Sequence, residues 1–302
     1  MPDLLTDALR GHPAAPEILR PSGRPWDVPR GVRALFAYQS HWKGAPAEPP
    51  AGWPFDLEWL QIASAGVDTL PAWVHGVPLV CRAAGVHAPA IAEYVIGAVF
   101  AHEKRFWTGA VNRSEGWVPY ETGSVVGRRL GIAGLGAIGR EIARLSLSIG
   151  MSVSGLSRTG ASMDGVRAVP DLARLLAESD HLVVALPLTA DTRGIVDARA
   201  LQAAKHGLHL INIARGAIVD QPALLAALDA GRLAAATLDV TDPEPLPAGH
   251  PFYTHPAIRL TPHVSGAVAE NDRRMADMLV ANLDAWLAGR PLRGRVTPGL
   301  GY

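Results

Sequence analysis

What this chain has little of narrows the possibilities first. It carries a single cysteine, Cys81, in 302 residues, which excludes an internal disulfide and any zinc site built on several thiolates, so no metal is expected. It has no surplus of charge, since 28 basic side chains meet 28 acidic ones. Such a balance exerts no long-range pull toward nucleic acid or an anionic membrane, and neither is expected as a partner. No apolar run approaches the ~20 residues that a membrane-spanning helix needs. The opening Met1–Arg10 has acids where a secretion signal would have bases. Together with the lone cysteine, that makes a cytoplasmic setting the default expectation. No internal repeat is evident.

What is present suits a globule of two domains. Pro13, Pro16, Pro21, Pro25 and Pro29 crowd the first fifty residues and are expected to keep helices short there. Val32–Tyr38 and Val77–Cys81 read as short strands, and Leu57–Ala63 as a strand or the end of a helix. From Pro89 to about Phe106, Ile91, Tyr94, Val95, Ala98, Val99 and His102 recur at spacings of three and four, which predicts a long linking helix. Strands and helices then alternate. Strands are expected at 130–133, 151–156, 181–186, 209–213, 235–239 and 258–261, with helices between them. About six apolar strands without polar alternation, separated by helices, predict a doubly wound parallel sheet covered on both faces. A helix from Ala267 to about Leu287 can cross back to the first domain.

The turn "GIAGLGAIGR" follows the first strand of that alternation and opens a helix, the context in which a glycine triplet binds a dinucleotide. Gly134 permits the tight turn, Gly136 the close approach of a pyrophosphate, and Gly139 the packing of helix on sheet. The second strand lacks something too. An NAD site places an acid about 20 residues after the triplet; here the strand ends in Leu156-Ser157-Arg158-Thr159. Arg158 can pair with a 2′-phosphate while Ser157 and Thr159 donate to it, so NADP is expected over NAD.

Three charged groups follow three later strands, and ligands of such sheets bind at the carboxyl ends of strands. They are Arg215 in "NIARG", Glu244 in "DVTDPEP" and His263 in "TPHVSG". A cation, an acid and a titratable imidazole suit hydride transfer to a 2-oxo acid. Arg215 would hold the carboxylate and polarise the keto group, and His263 would donate the proton. Glu244 would favour the protonated imidazole and fix its orientation.

The ordered set "SAGVD" (64–68), "GVHAPAIAEYVIG" (85–97), "GLGAIG" (134–139), "ALPLTADTRGI" (185–195), "NIARGAIVD" (212–220), "LDVTDPEPLP" (238–247), "TPHVSG" (261–266) and "NLDAWLAGRPLRGRV" (282–296) resembles the D-isomer-specific 2-hydroxyacid dehydrogenases, most closely those of glyoxylate/hydroxypyruvate reductase type. The resemblance implies an α/β fold of two Rossmann- or flavodoxin-like domains, doubly wound parallel sheets with a cleft between them. The substrate domain would be discontinuous, residues 1–90 and 272–302, around a dinucleotide-binding domain at 91–271. Arg215, Glu244 and His263 align with the catalytic three. The implied cofactor contacts run through Gly134, Leu135, Gly136, Ala137, Ile138 and Gly139, then Ser157, Arg158 and Thr159. They continue through Leu186, Pro187, Thr192, Ile213, Ala214 and Asp239, and end at His263, Ser265 and Gly266. The backbone amides of Ala65 and Gly66 would take the substrate carboxylate. Trp42 is expected to wall the substrate pocket, with Tyr38 as a further candidate, and Arg82 to add a second cation or face solvent. Members usually dimerise through the larger domain, so a homodimer is expected, with Tyr94, Trp107, Trp117 and Tyr120 available to that contact or to the core. Three rival readings remain at this point: a dinucleotide-sensing interaction protein on the same fold, an NAD-dependent enzyme like phosphoglycerate dehydrogenase, and a methyltransferase with a glycine turn.

Overall fold

In the computed structural model, which describes residues 2–20, 23–158, 160 and 163–297, helix α1 (Pro2–Arg10) precedes strands β1 (Ala34–Ala37), β2 (Trp59–Ile62) and β3 (Leu79–Cys81). Helix α2 (Ala88–Glu103) follows, then β4 (Arg129–Ala133), α3 (Ala137–Ser148), β5 (Ser152–Leu156), β6 (Val166–Ala168), α4 (Leu172–Glu178) and β7 (His181–Val184). The rest are α5 (Ala198–Gln202), β8 (Leu208–Asn212), α6 (Gln221–Asp229), β9 (Leu233–Leu238), β10 (Ile258–Leu260) and α7 (Glu270–Leu287). The chain divides into two compact units, Met1–His87 with Ala267–Tyr302, and Ala88–Gly266.

The second unit holds a seven-stranded sheet in the order β10-β9-β8-β7-β4-β5-β6, every neighbour parallel. Burial on both faces explains why its strands read as unbroken apolar runs. Leu182 and Val184 join Leu175, Leu201, Leu224 and Leu228 on one face. Val183, Leu130 and Ile132 join Ile91, Val95, Val99 and Ile142 of α2 and α3 on the other. The strand order reverses where β4 lies beside both β7 and β5, and the crevice outside the carboxyl ends there is where such sheets take ligands. β6 is the strand beyond the expected six; it is three residues long and lies at the edge.

The first unit has a three-stranded parallel sheet, β1-β2-β3. Trp59, Cys81, Met275, Leu279 and Leu283 form one core, the last three from α7. Leu60, Ile62, Val74, Val80 and Trp42 form the other. Helices near the amino end are short, as expected, and α1 is the longest of them at nine residues. Pro2 stands at its first position, where a missing N–H costs nothing, and the other prolines begin only at Pro13.

A chain of buried polar groups crosses the α2 face of the larger sheet. Arg128 forks onto the Glu103 carboxylate at 3.0 Å through both Nε and a terminal nitrogen. Glu103 lies 3.1 Å from His181 Nε2, His181 Nδ1 lies 3.1 Å from His209 Nδ1, and His209 Nε2 lies 2.9 Å from the Thr237 hydroxyl. Two neutral rings satisfy every group: Thr237 donates to His209, His209 Nδ1–H to His181, and His181 Nε2–H to Glu103. His102 stacks on His209 with ring centroids 4.5 Å apart. Burial, then His102 and His181, holds His209 well below the ordinary histidine value. Burial, then His181, also lowers His102. The unfolded chain protonates His209 and His102 near pH ~6.5 while the folded chain takes up those protons only at lower pH, so stability is full above that pH and is lost as pH falls below it. Thermal unfolding temperatures should therefore be level from about pH 8 to 7 and drop between about pH 6.5 and 5, with a slope of up to about 1.4 kcal/mol per pH unit and group. A level profile down to pH 5 would rule out buried neutral rings.

Candidate active site

The glycine triplet lies at the strand-order reversal, between β4 and α3. Gly134 has φ +109°, and a Cβ there would stand 2.6 Å from the Ala185 carbonyl oxygen beyond β7. A Cβ on Gly139 would stand 2.0 Å from the Gly134 oxygen. Gly136, which caps α3, faces open space: a Cβ there meets no atom within 4 Å. Two of the three glycines thus serve the chain's own packing and the third opens a cradle at a helix N-terminus. A pyrophosphate fits such a cradle, because the free N–H groups and the positive end of the dipole point into it. Leu135 is buried and its side chain lies where a Cβ on Gly155 would stand, tying the turn to β5; Ala137 and Ile138 form the first turn of α3.

Ser157 and Arg158 follow β5, half-buried and exposed respectively. Thr159, expected beside them, lies outside the described residues. Leu186 and Pro187 follow β7, and the Thr192 hydroxyl donates to the Pro187 carbonyl at 2.6 Å, closing that loop on itself. Ile213 and Ala214 are 6% and 8% exposed after β8. Arg215 comes next, half-buried, with one terminal nitrogen donating to the Ala214 carbonyl at 2.8 Å. The Asn212 side chain braces the bend, accepting from the Ala214 N–H and donating to the Arg215 carbonyl.

Glu244 and His263 meet. His263 Nδ1 lies 3.0 Å from Glu244 Oε2, and the other carboxylate oxygen accepts the Thr241 N–H at 3.1 Å. Both side chains keep solvent access, 50% for His263 and 39% for Glu244. With Nδ1 on the carboxylate, Nε2 is the ring nitrogen left for another partner. The histidine backbone is left-handed, φ +55°, a conformation that persists in a residue other than glycine when its surroundings impose it. Asp239 imposes it here. Its carbonyl accepts the His263 N–H, and its carboxylate accepts Thr261 Oγ1 at 2.6 Å, the Val264 N–H at 2.8 Å and the Ser265 N–H at 2.9 Å. Tyr94 of α2 completes the brace from behind, with its hydroxyl 2.6 Å from Thr261 Oγ1. Gly266 ends the loop. Asp239 and Tyr94 as loop anchors are legible only in three dimensions, since nothing in the spacing of 94, 239 and 261–265 links them.

Among the residues expected to meet substrate, Ala65 and Gly66 are half-buried in the loop after β2. Arg82 does not simply face solvent: it is half-buried, with Nη1 on the Ala65 carbonyl at 2.9 Å. Trp42 requires a correction. Instead of walling a pocket it is 3% exposed, with ring centroids 6.1, 6.1 and 5.9 Å from Trp26, Trp53 and Trp73. An indole gains more from burial among indoles than from a place beside the polar His41 and Lys43. Tyr38 keeps partial exposure at the end of β1. No helix among the described residues is long and apolar enough to cross a membrane, and none of their His, Cys, Asp and Glu side chains form a metal-holding group.

The model of the D-isomer specific 2-hydroxyacid dehydrogenase NAD binding domain matches residues 96–265. Glyoxylate/hydroxypyruvate reductase A of Yersinia enterocolitica is 37% identical over 238 residues, 78% of this chain and 74% of that protein. A D-isomer specific 2-hydroxyacid dehydrogenase from Xanthobacter autotrophicus Py2, solved with NADPH and MES, superposes with a TM-score of 0.82 at 31% identity, over 100% of this chain and 96% of that one. An NADPH-dependent glyoxylate/hydroxypyruvate reductase from Sinorhizobium meliloti, solved with NADP and sulfate, superposes with a TM-score of 0.83 at 26% identity, over 100% and 97% of the two chains.

Proposed function

This chain belongs to the D-isomer specific 2-hydroxyacid dehydrogenase family, and from that premise we propose that it is an NADPH-dependent reductase of small 2-oxo acids of the glyoxylate and hydroxypyruvate kind. The observation that carries the proposal is the His263–Glu244 pair, held at 3.0 Å on a loop that Asp239 fixes at four points.

Gly134 to Gly139 hold the pyrophosphate, Ser157 and Arg158 the 2′-phosphate, and Leu186, Pro187, Thr192, Ile213, Ala214, Ser265 and Gly266 the nicotinamide half. Bound there, NADPH supplies a hydride. The amides of Ala65 and Gly66 take the substrate carboxylate. Arg215 adds a guanidinium that holds the carboxylate and draws electrons from the keto oxygen. His263 carries the proton on Nε2 and releases it to that oxygen as the alcohol forms. Glu244 accepts from Nδ1, which fixes the ring plane.

The choice of NADPH over NADH rests on Arg158 and on the absence of an acid at the end of β5. Both structural relatives above were solved with the phosphorylated cofactor. A phosphoglycerate dehydrogenase-like enzyme using NAD would want that acid, and a dinucleotide sensor or a methyltransferase would leave the Glu244–His263 pair without a task. Oxidation of NADPH at its nicotinamide absorbance, with a panel of 2-oxo acids, tests the reading; no turnover with any of them would defeat it. Arg158→Ala should raise the KM for NADPH by about 10-fold or more while that for NADH moves less than about 2-fold. Equal changes with both cofactors would remove the 2′-phosphate contact.

The protein is further proposed to act as a homodimer. Between α2 and β4, Phe106, Trp107, Trp117, Val118 and Tyr120 are 45–80% exposed, and exposed apolar side chains clustered on one segment mark an association surface. A second copy of the larger unit is the occupant that the family premise favours. Tyr94, by contrast, turns inward to Thr261.

A further inference from the structure

The loop expected to take the substrate carboxylate is built unusually, and Arg82 is the reason. Two bonds join it to the segment after β3: the Ala83 N–H donates to the Ser64 carbonyl, and Arg82 Nη1 donates to the Ala65 carbonyl, both at 2.9 Å. Within the loop, the Ser64 hydroxyl donates to the Gly66 carbonyl at 2.7 Å. In a trans peptide the C=O of one residue and the N–H of the next point opposite ways. Arg82, by drawing the Ala65 carbonyl to one side, therefore aims the Gly66 N–H to the other, and Ser64 does the same for the Val67 N–H. Among the described residues neither the Ala65 nor the Gly66 amide is given to a backbone acceptor. Successive amides with their carbonyls tied back make an anion-binding concavity.

Arg82 is itself braced. Its N–H donates to the Gly294 carbonyl at 2.9 Å, and Gly294, at φ +74°, lies so close that a Cβ would stand 2.2 Å from the Arg82 oxygen. The guanidinium Nε is buried without a hydrogen-bond partner. No carboxylate among the described residues makes a salt bridge with it, and burial alone lowers its pKa from the ordinary arginine value. His87, from the same segment, carries a second buried unpartnered nitrogen and lies within the field of Arg274. Arg82 thus enters the loop as a half-buried cation with one buried nitrogen left over.

We propose that Arg82 is the positioning residue for recognition of the substrate carboxylate, holding the Ala65 carbonyl so that the Gly66 N–H faces the anion. The inference rests on the reading that the amides of residues 65 and 66 bind that carboxylate. It concerns selectivity for an acid over its uncharged analogue and leaves hydride and proton transfer to the other unit.

The test uses the full-length enzyme with the best 2-oxo acid of the panel and the methyl ester of that acid. Arg82→Met should raise the KM for the acid by about 10-fold or more, with kcat and the KM for NADPH within about 2-fold of wild type and the ester's kcat/KM equally unmoved. Arg82→Lys, which keeps the charge and one donor, should recover part of the loss; should the methionine variant not fold, a rise of about 3-fold in the lysine variant's KM for the acid alone carries the test. An unchanged KM for the acid would overturn the proposal, as would equal losses for acid and ester, which indicate a merely structural arginine. If the wild-type enzyme already accepts the ester as readily as the acid, the proposal falls together with the carboxylate reading beneath it. If the wild-type enzyme reduces no 2-oxo acid, the proposed function is what has failed.

Discussion

Replacing His263 by alanine should lower kcat by about 10²- to 10⁴-fold, the range that a positioned general acid contributes, while the affinity for NADPH stays within about 2-fold. The size follows from what the imidazole does and from what would remain. On the proposed reading Arg215 and the loop amides would still bind and polarise the substrate, so activity should fall far without vanishing. The cofactor turn lies on β4 and α3 and owes nothing to His263. The left-handed backbone at this position, φ +55°, complicates the alanine variant, because alanine tolerates that region less well than asparagine. His263→Asn provides the control: it keeps the loop geometry and should lose the same activity with an unchanged melting temperature. Loss of NADPH binding in the asparagine variant would make the histidine structural and the proposed chemistry untenable.

The second large effect is expected at the glycine turn, and two neighbouring substitutions should behave differently. Gly139→Ala places a methyl group 2.0 Å from the Gly134 oxygen and 3.2 Å from Ile132 Cγ2. The nearer obstacle is backbone, so α3 must move off the turn. Overpacking of this kind costs about 1–3 kcal/mol, and NADPH affinity should fall about 10- to 100-fold along with the melting temperature of the apo protein. Gly136→Ala meets nothing within 4 Å. It should leave the apo melting temperature untouched and still abolish most of the upward shift produced by saturating NADPH, because its methyl group would fill the space in which the proposed pyrophosphate sits. Melting curves with and without NADPH separate the two. A Gly136→Ala protein that NADPH stabilises as well as wild type would show that the pyrophosphate does not approach there.

The sequence carried the larger unit further than the smaller one. A strand such as β7, whose residues 181–184 are buried on both faces, writes its existence as an unbroken run. The helix expected to open at the glycine turn is there as α3, because a capping glycine and a following glycine punctuate it. β6 was illegible because three residues at a sheet edge, with Arg167 in the middle, leave no periodicity. Trp42 shows the other kind of limit. Its neighbours in the chain are polar and its neighbours in space are Trp26, Trp53 and Trp73, which come from different loops. The site divides in the same way. Residue types at strand ends pointed to Arg215, Glu244 and His263, whereas the groups that aim them or their partners, Asp239, Tyr94 and Arg82, act across distances of sequence that spacing does not encode.

The two units are also threaded differently, and a ribosome would meet the difference. Residues 88–266 contain every strand of their own sheet and can close their core as soon as they emerge. The stretch ahead of them cannot, because Met275, Leu279 and Leu283 of α7 complete one of its two cores and are synthesised only after the whole of the other unit. During translation β1 to β3 thus wait with an oily flank bare until α7 arrives, so that stretch of the nascent chain is where a holdase chaperone would find its grip.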